Sequence, residues 1–185
     1  MPSRRALLRS AALAPVALAA PALLAAPIDA AAKTRAQAAG VVYIVRHAEK
    51  AADPDKTGDP PLRPEGAARA QALARALGGV RLVGVWCSPY ARTRATATPT
   101  ALAAGLTVGE HDPHDAEGLR ARVHAAKGPC LVVGHSNTVG KLVAALGGPT
   151  LPDLAEGEYD ALDVVFWTNE PQVVHQRLRY GAPSA

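Results

Sequence analysis

Aromatic residues are scarce in this chain. Phe, Trp and Tyr make up 4% of its 185 residues, with a single Phe and two Trp. A surface that stacks the bases of single-stranded nucleic acid therefore has little to be built from. Strong charge of one sign is also missing. The formal net charge is +4, and residues 1–32 hold Arg4, Arg5 and Arg9 against Asp29, so +2 belongs to that N-terminal stretch and +2 to everything after it. A modest positive balance suits an anionic substrate and does not argue for nucleic acid. Cysteine is limited to two residues, Cys87 and Cys130, each in an apolar, strand-like run. Cys87 falls near the end of its strand and Cys130 at the start of its own. If those strands are parallel neighbours, several residues at about 3.3 Å each separate the sulfurs, so both thiols are expected free, buried and structural. No repeat or low-complexity tract follows the N-terminal stretch.

That stretch reads SRRALLR, then an uncharged Ala- and Leu-rich segment from Ser10 to Ile28, then small residues at Ala30, Ala31 and Ala32. A basic head, an apolar middle and a small-residue end are the layout of an export signal. Arg4 and Arg5, followed by Leu7 and Leu8, resemble the twin-arginine type. The expectation is a signal over 1–32, cut after Ala32 or, alternatively, after Ala22, and a mature protein in the periplasm or outside the cell. An uncleaved anchor is the other reading, disfavoured by Pro15, Pro21 and Pro27 and by the weak hydrophobicity of Ala. No stable membrane insertion is expected once the signal is removed. Residues 33–40 read as a linker and 41–185 as one domain, a length that supports a single full core.

Within that domain the first strand is expected at Val41–Val45. The Pro-rich segment after it, AADPDKTGDPPLRPEG, must be loop. Pro64 suits the first turn of a helix whose Ala70, Leu73, Ala74 and Leu77 recur at helical spacing until Gly78 and Gly79. A strand at Leu82–Cys87, a helix from about Ala91 to Ala104 and a weak strand at Leu106–Glu110 follow. Asp115 is placed to cap a helix that turns Leu119 and Val123 inward. Cys130–Val133 is a fourth strand, and Asn137 is expected to cap a helix from Thr138 to Leu146. ALDVVFW and QVVHQRL read as a terminal hairpin. Strands alternating with helices predict a three-layer α/β/α sandwich with a mostly parallel central sheet.

In open sheets of this kind, ligands bind beyond the carboxyl ends of the strands. Two strands here run straight into a histidine, VVYIVRH at His47 and CLVVGH at His135, and a third runs into SPYARTRATA, carrying Ser88, Arg92 and Arg94. Guanidinium groups match phosphate oxygens with a planar fork of donors, and a neutral imidazole is a nucleophile near neutral pH. Taken singly, each residue has an ordinary reading as a surface or core side chain. Two histidines at two strand ends, with Arg46 beside one of them, point instead to a phosphoryl pocket.

RHAEK resembles the RHG motif of the histidine phosphatase superfamily, also called phosphoglycerate mutase-like, with Ala48 where glycine is usual. SPYARTRATA is similar to that family's SPLxRAxxTA segment, which aligns Arg92 with the family arginine and leaves Arg94 outside it. LVVGHSNT resembles the segment with the second histidine, and DPPLRPEGAARAQAL follows the family's loop and first helix. The likeness spans about Val41 to Leu146. It implies a metal-independent, cofactor-free phosphatase. His47 forms a phosphohistidine, and Arg46, Arg92 and His135 donate to the equatorial oxygens. Amides at the helix start near Ser136 and Asn137 add to the anion site. The family's proton donor follows the arginine helix, which points to EHDPHD and first to Asp112, then Glu110. Glu49 takes the place of the family's RHGE glutamate, and Lys50, where Thr or Asn is commoner, is a candidate for a second anionic group of the substrate.

The expected substrate is a small or lipid-linked phosphate ester, or a phosphohistidine on a partner protein, whose labile P–N bond makes a dedicated acid dispensable. Two other functions fit the motifs: a phosphoglycerate mutase-type transferase, disfavoured by the short chain and by export, and a non-catalytic envelope protein that binds phosphorylated ligands. Oligomeric state is not legible in the sequence.

Overall fold

The computed structural model describes residues 38–53, 56, 58–168 and 172–184. The export-signal segment and residues 33–37 of the expected linker lie outside the described residues. Among those described, no helix is long and apolar enough to cross a membrane.

The strands are β1 (Ala38–Arg46), β2 (Gly84–Cys87), β3 (Val108–Glu110), β4 (Cys130–Gly134), β5 (Ala161–Thr168) and β6 (Val173–Arg179). The helices are α1 (Pro64–Ala76), α2 (Ala91–Ala103), α3 (Ala116–Ala126) and α4 (Ser136–Ala145). They build one six-stranded sheet in the order β3-β2-β4-β1-β5-β6. The pairs among β1, β2, β3 and β4 are parallel. The terminal hairpin adds β5 and β6 antiparallel to their neighbours. This is the expected α/β class, with the antiparallel pair confined to one side.

Parallel strands covered on both faces must be apolar on both, and they are. Along β1 and β4, Val42, Ile44, Cys130 and Val132 enter a core beneath α3 and α4 with Leu119, Val123, Val139 and Leu142. The alternate residues Val45, Leu131 and Val133 enter a second core with Leu73 of α1, Leu77 at its C-cap, and Ala97 and Ala101 of α2. The period of two along each strand thus feeds two separate cores.

Several boundaries differ from expectation. β1 starts at Ala38, ahead of Val41, because Ala38 and Gly40 still pair with Thr168 and Trp167 of β5 across a register shift. A Cβ at Gly40 would lie 2.2 Å from the Trp167 ring, so only glycine lets that indole cover the strand. Helix α4 begins at Ser136 with His135, rather than Asn137, as its N-cap. The Thr138 hydroxyl accepts from the His135 N–H at 2.8 Å, the N3-to-N-cap half of a capping box. Asp115 caps α3 as expected, its Oδ1 accepting from the Gly118 N–H at 2.8 Å.

For the site, the important feature is where the strands end. In the register, Arg46 of β1 lies opposite Gly134 of β4, and Cys87 of β2 lies opposite Val133. The His47 N–H donates to Gly134 O at 2.9 Å. The residues that follow β1, β2 and β4 therefore leave the sheet side by side. After β1 the chain moves outward on one side, through β2 and β3, and after β4 it crosses to β5 on the other, so the crevice lies at a topological switch point.

Candidate active site

Beyond these strand ends lies a cavity of about 470 Å³ lined by Arg46, His47, Arg92 and His135. The sequence pointed first to these four. Lys50, Ser136 and Asn137 line it too, as do Tyr90, Pro113, His114 and Thr138.

His47 is buried, with 4% of its surface exposed. Its Nδ1 sits 2.8 Å from the carbonyl oxygen of Ala48. A carbonyl only accepts, so Nδ1 carries the proton and Nε2 keeps its lone pair; the tautomer follows from the bond, not from visible hydrogens. Burial pushes the His47 pKa down to about 3, and the positive charges of Arg46 and Arg92 act in the same direction. The ring is neutral at physiological pH, the state a nucleophile requires.

The His135 ring lies 5.4 Å from the His47 ring, centroid to centroid. Its Nε2 is 2.7 Å from Ser88 Oγ. Thr93 Oγ1 stands 2.7 Å from Ser88 O and 2.8 Å from Tyr90 O, so its proton goes to a carbonyl and it accepts from Ser88 Oγ at 3.1 Å. Ser88 Oγ then accepts from His135 Nε2–H, and this short relay, with both hydroxyl residues fully buried, orients the ring. Burial, followed by Arg92, His111 and Arg46, pushes the His135 pKa down to about 4.

Both arginines are fixed from outside the sheet. Arg46 Nη1 donates to the carbonyls of Ala155 and Glu156 at 2.8 Å each and of Glu158 at 3.2 Å, and the guanidinium stacks 4.2 Å from the Tyr159 ring centroid. Arg92 Nη1 donates to Gly58 O at 3.0 Å and Asp59 Oδ1 at 3.2 Å, over the Tyr90 ring at 4.4 Å. Asp59 also accepts from the Ala91 N–H at the start of α2. The Nε of each arginine is buried with no hydrogen-bond partner among the described residues. Rigid guanidinium groups around a polar cavity, with a neutral imidazole between them, are suited to a tetrahedral oxyanion.

Two expected residues are not part of this lining. Glu49 turns away beneath α1, where it is buried and takes hydrogen bonds from Arg69 Nε and Nη2 at 2.7 to 3.0 Å. Burial alone would raise its pKa, but those bonds hold it below the usual carboxylate value. A Cβ at Gly66 would come within 2.2 Å of Glu49 O, so α1 presses directly on this segment. Asp112 folds back on its own turn, Oδ1 accepting from the His114 N–H at 2.8 Å. With Glu110, His111 and Arg122 it lines a neighbouring hollow of about 380 Å³, which shares Pro113 with the main cavity. Glu110, the second choice for the acid, is bonded to Arg94 at 2.7 Å. Among the described residues that line the main cavity, none is Asp or Glu.

Sequence reasoning gave no role to Tyr90 or Thr138, and nothing in their spacing marked them. His114 lies inside the EHDPHD segment, where the likeness to the family points to a carboxylate and not to an imidazole.

Fold and site together define an α/β protein with a histidine- and arginine-lined pocket at the strand ends. Residues 42–114 match the family described as the histidine phosphatase superfamily (branch 1). Solved structures with the same fold include the protein histidine phosphatase SixA complexed with tungstate, 22% identical with a TM-score of 0.61, covering 75% of this chain and 96% of that one. Mycobacterial hydrolase 1 is 17% identical with a TM-score of 0.57, covering 78% and 99%. The mycobacterial glucosyl-3-phosphoglycerate phosphatase Rv2419c is 17% identical with a TM-score of 0.51, covering 68% and 89%. No curated protein matches the chain.

Proposed function

We propose that this protein is a phosphatase in which His47 is the nucleophile. The observation that carries the reading is the convergence of a neutral His47, its proton held on Nδ1, with Arg46, Arg92 and His135 on one cavity. His47 Nε2 attacks phosphorus in line, the bond from phosphorus to the leaving group breaks, and a phosphohistidine forms. The two arginines donate to the equatorial oxygens, where preorganised donors of this kind contribute about 2.7–4 kcal/mol each, and His135, its Nε2–H on Ser88 Oγ, lines the pocket beside His47. Water then attacks the phosphorus, the P–N bond breaks and phosphate departs. The guanidinium groups supply the charge neutralisation, so the scheme assigns no step to a metal.

The substrate is a phosphomonoester or a phosphohistidine. The lack of Asp or Glu among the described lining residues favours substrates that need no strong carboxylic acid, and a P–N bond is one of these. Ser136, Asn137 and Lys50 are proposed to bind substrate, Lys50 at the exposed end of the site. Export under the N-terminal signal is part of the proposal. Fractionation of cells expressing the full chain, with N-terminal sequencing of the product, tests it; a cytoplasmic, full-length product contradicts it.

The test of the reaction is turnover of a chromogenic aryl phosphate by the purified protein with chelator present. Wild type is expected to turn over, Arg92→Gln to lose on the order of 10²–10³ in kcat, and His47→Ala to lose all activity. Activity that survives His47→Ala contradicts the scheme.

A further inference from the structure

We infer that His114 is the proton donor to the leaving group and that Asp112 is the residue that positions it. The inference rests on the phosphatase reading above and concerns its one unassigned role. When His47 Nε2 displaces an alcohol, the oxygen that leaves phosphorus must gain a proton as its bond breaks, and a side chain within reach of that oxygen has to supply it.

The residues around the cavity leave few choices. Arg46 and Arg92 do not release protons in proteins. His47 is the nucleophile, and the His135 Nε2–H is committed to Ser88. The carboxylate beside Arg92, Asp59, is engaged by that guanidinium and by the Ala91 N–H. His114 lines the same cavity and carries an imidazole, the side chain that exchanges protons most readily near neutral pH.

Its backbone is held in place from both directions. The His111 N–H donates to Cys87 O at 3.0 Å, which ties the segment to the end of β2. Asp112 Oδ1 accepts from the His114 N–H at 2.8 Å, and the Asp115 N–H donates to Asp112 O at 3.1 Å. Asp115 in turn caps α3. The turn that takes Asp112 out of the cavity is the one that brings His114 to it.

The proton cycle closes. His114 as imidazolium gives its proton to the departing oxygen as the P–O bond breaks and His47 takes the phosphoryl group. Neutral His114 then accepts a proton from the water that attacks phosphorus. The P–N bond to His47 breaks, phosphate leaves, and His114 is again an imidazolium.

The experiment compares two substrates, 2,4-dinitrophenyl phosphate, whose leaving group needs no proton, and glycerol phosphate, whose leaving group does. His114→Gln is expected to lower kcat/KM, which reports the steps through release of the leaving group, by about 10²–10⁴ on glycerol phosphate and to leave kcat/KM on the dinitrophenyl ester nearly unchanged. Free imidazole should restore glycerol phosphate turnover to His114→Ala. Asp112→Ala should show the same selective loss in weaker form, and Asp112→Asn, whose amide oxygen still accepts from the His114 N–H, should retain wild-type behaviour. Equal loss of kcat/KM on both esters, or no loss on either, overturns the inference while the phosphatase reading stands. A wild type inactive on both esters overturns both.

Discussion

His47 combines two demands that ordinarily conflict: it must be buried to be held, and it must keep a free lone pair. The Ala48 carbonyl resolves them by taking the Nδ1 proton, and burial keeps the ring neutral. The same burial has a consequence for stability. The pKa values of His47, His135 and His111 are all lowered in the folded chain, the first two to about 3 and about 4. Between those values and the ordinary histidine value of about 6.5, the unfolded chain binds protons that the folded chain does not. Stability therefore rises with pH across that window, and the contribution is complete above the unfolded value. The urea midpoint is expected to fall from pH 7 to pH 5, and to fall less in His47→Gln. A midpoint that is flat or rises toward acid would show that these rings are not buried neutral. At this scale RH, the SPYAR arginine and GH were legible because strand ends fix their positions. Asp112 was not, since its direction depends on one side-chain-to-backbone bond inside a turn.

The elements around the site are clamped as much as packed. Arg69 of α1 bonds Glu49 just after β1 and also donates to Tyr180 O at 3.1 Å and Ala182 O at 2.8 Å after β6. One guanidinium thereby joins the end of β1, the first helix and the C-terminal tail. With 5% and 8% of the two side chains exposed, solvent screens the pair little. Removing one partner of a buried pair leaves the other charge uncompensated, at a cost of about 3–5 kcal/mol. Arg69→Met should lower the unfolding free energy by that amount in urea titrations, and a change under about 1 kcal/mol, the range of exposed pairs, would contradict this. The RHAEK motif announced a glutamate near the nucleophile, but its partner lies on a helix face read only for its apolar spacing. In the same way Arg46 was legible while the carbonyls of 155–158 that hold it were not, because backbone acceptors carry no sequence signal.

For the molecule as a whole, the alternation of Val42, Ile44 and Val45, repeated in Cys130 to Val133, was enough to anticipate a sheet covered on both faces. The hairpin and the order of elements were legible from the same periodicity. Strand order across the switch point was not legible, since local pattern does not encode which strands pair. Both cysteines sit within this double core as free thiols, and burial pushes each up to about 11. Native protein should not react with a thiol reagent at pH 8, and both thiols should react once the chain is unfolded in denaturant. Rapid labelling of either in the native state would mean that one of the cores opens locally.

The central claim is chemical, and trapping the intermediate tests it most directly. Wild-type protein quenched within its first turnovers of an aryl phosphate should carry one phosphoryl group on the peptide containing His47, stable in alkali and lost in acid, and His47→Ala should carry none. Steady turnover by wild type with no phosphoryl group on that peptide, or a label that persists in His47→Ala, would contradict the account.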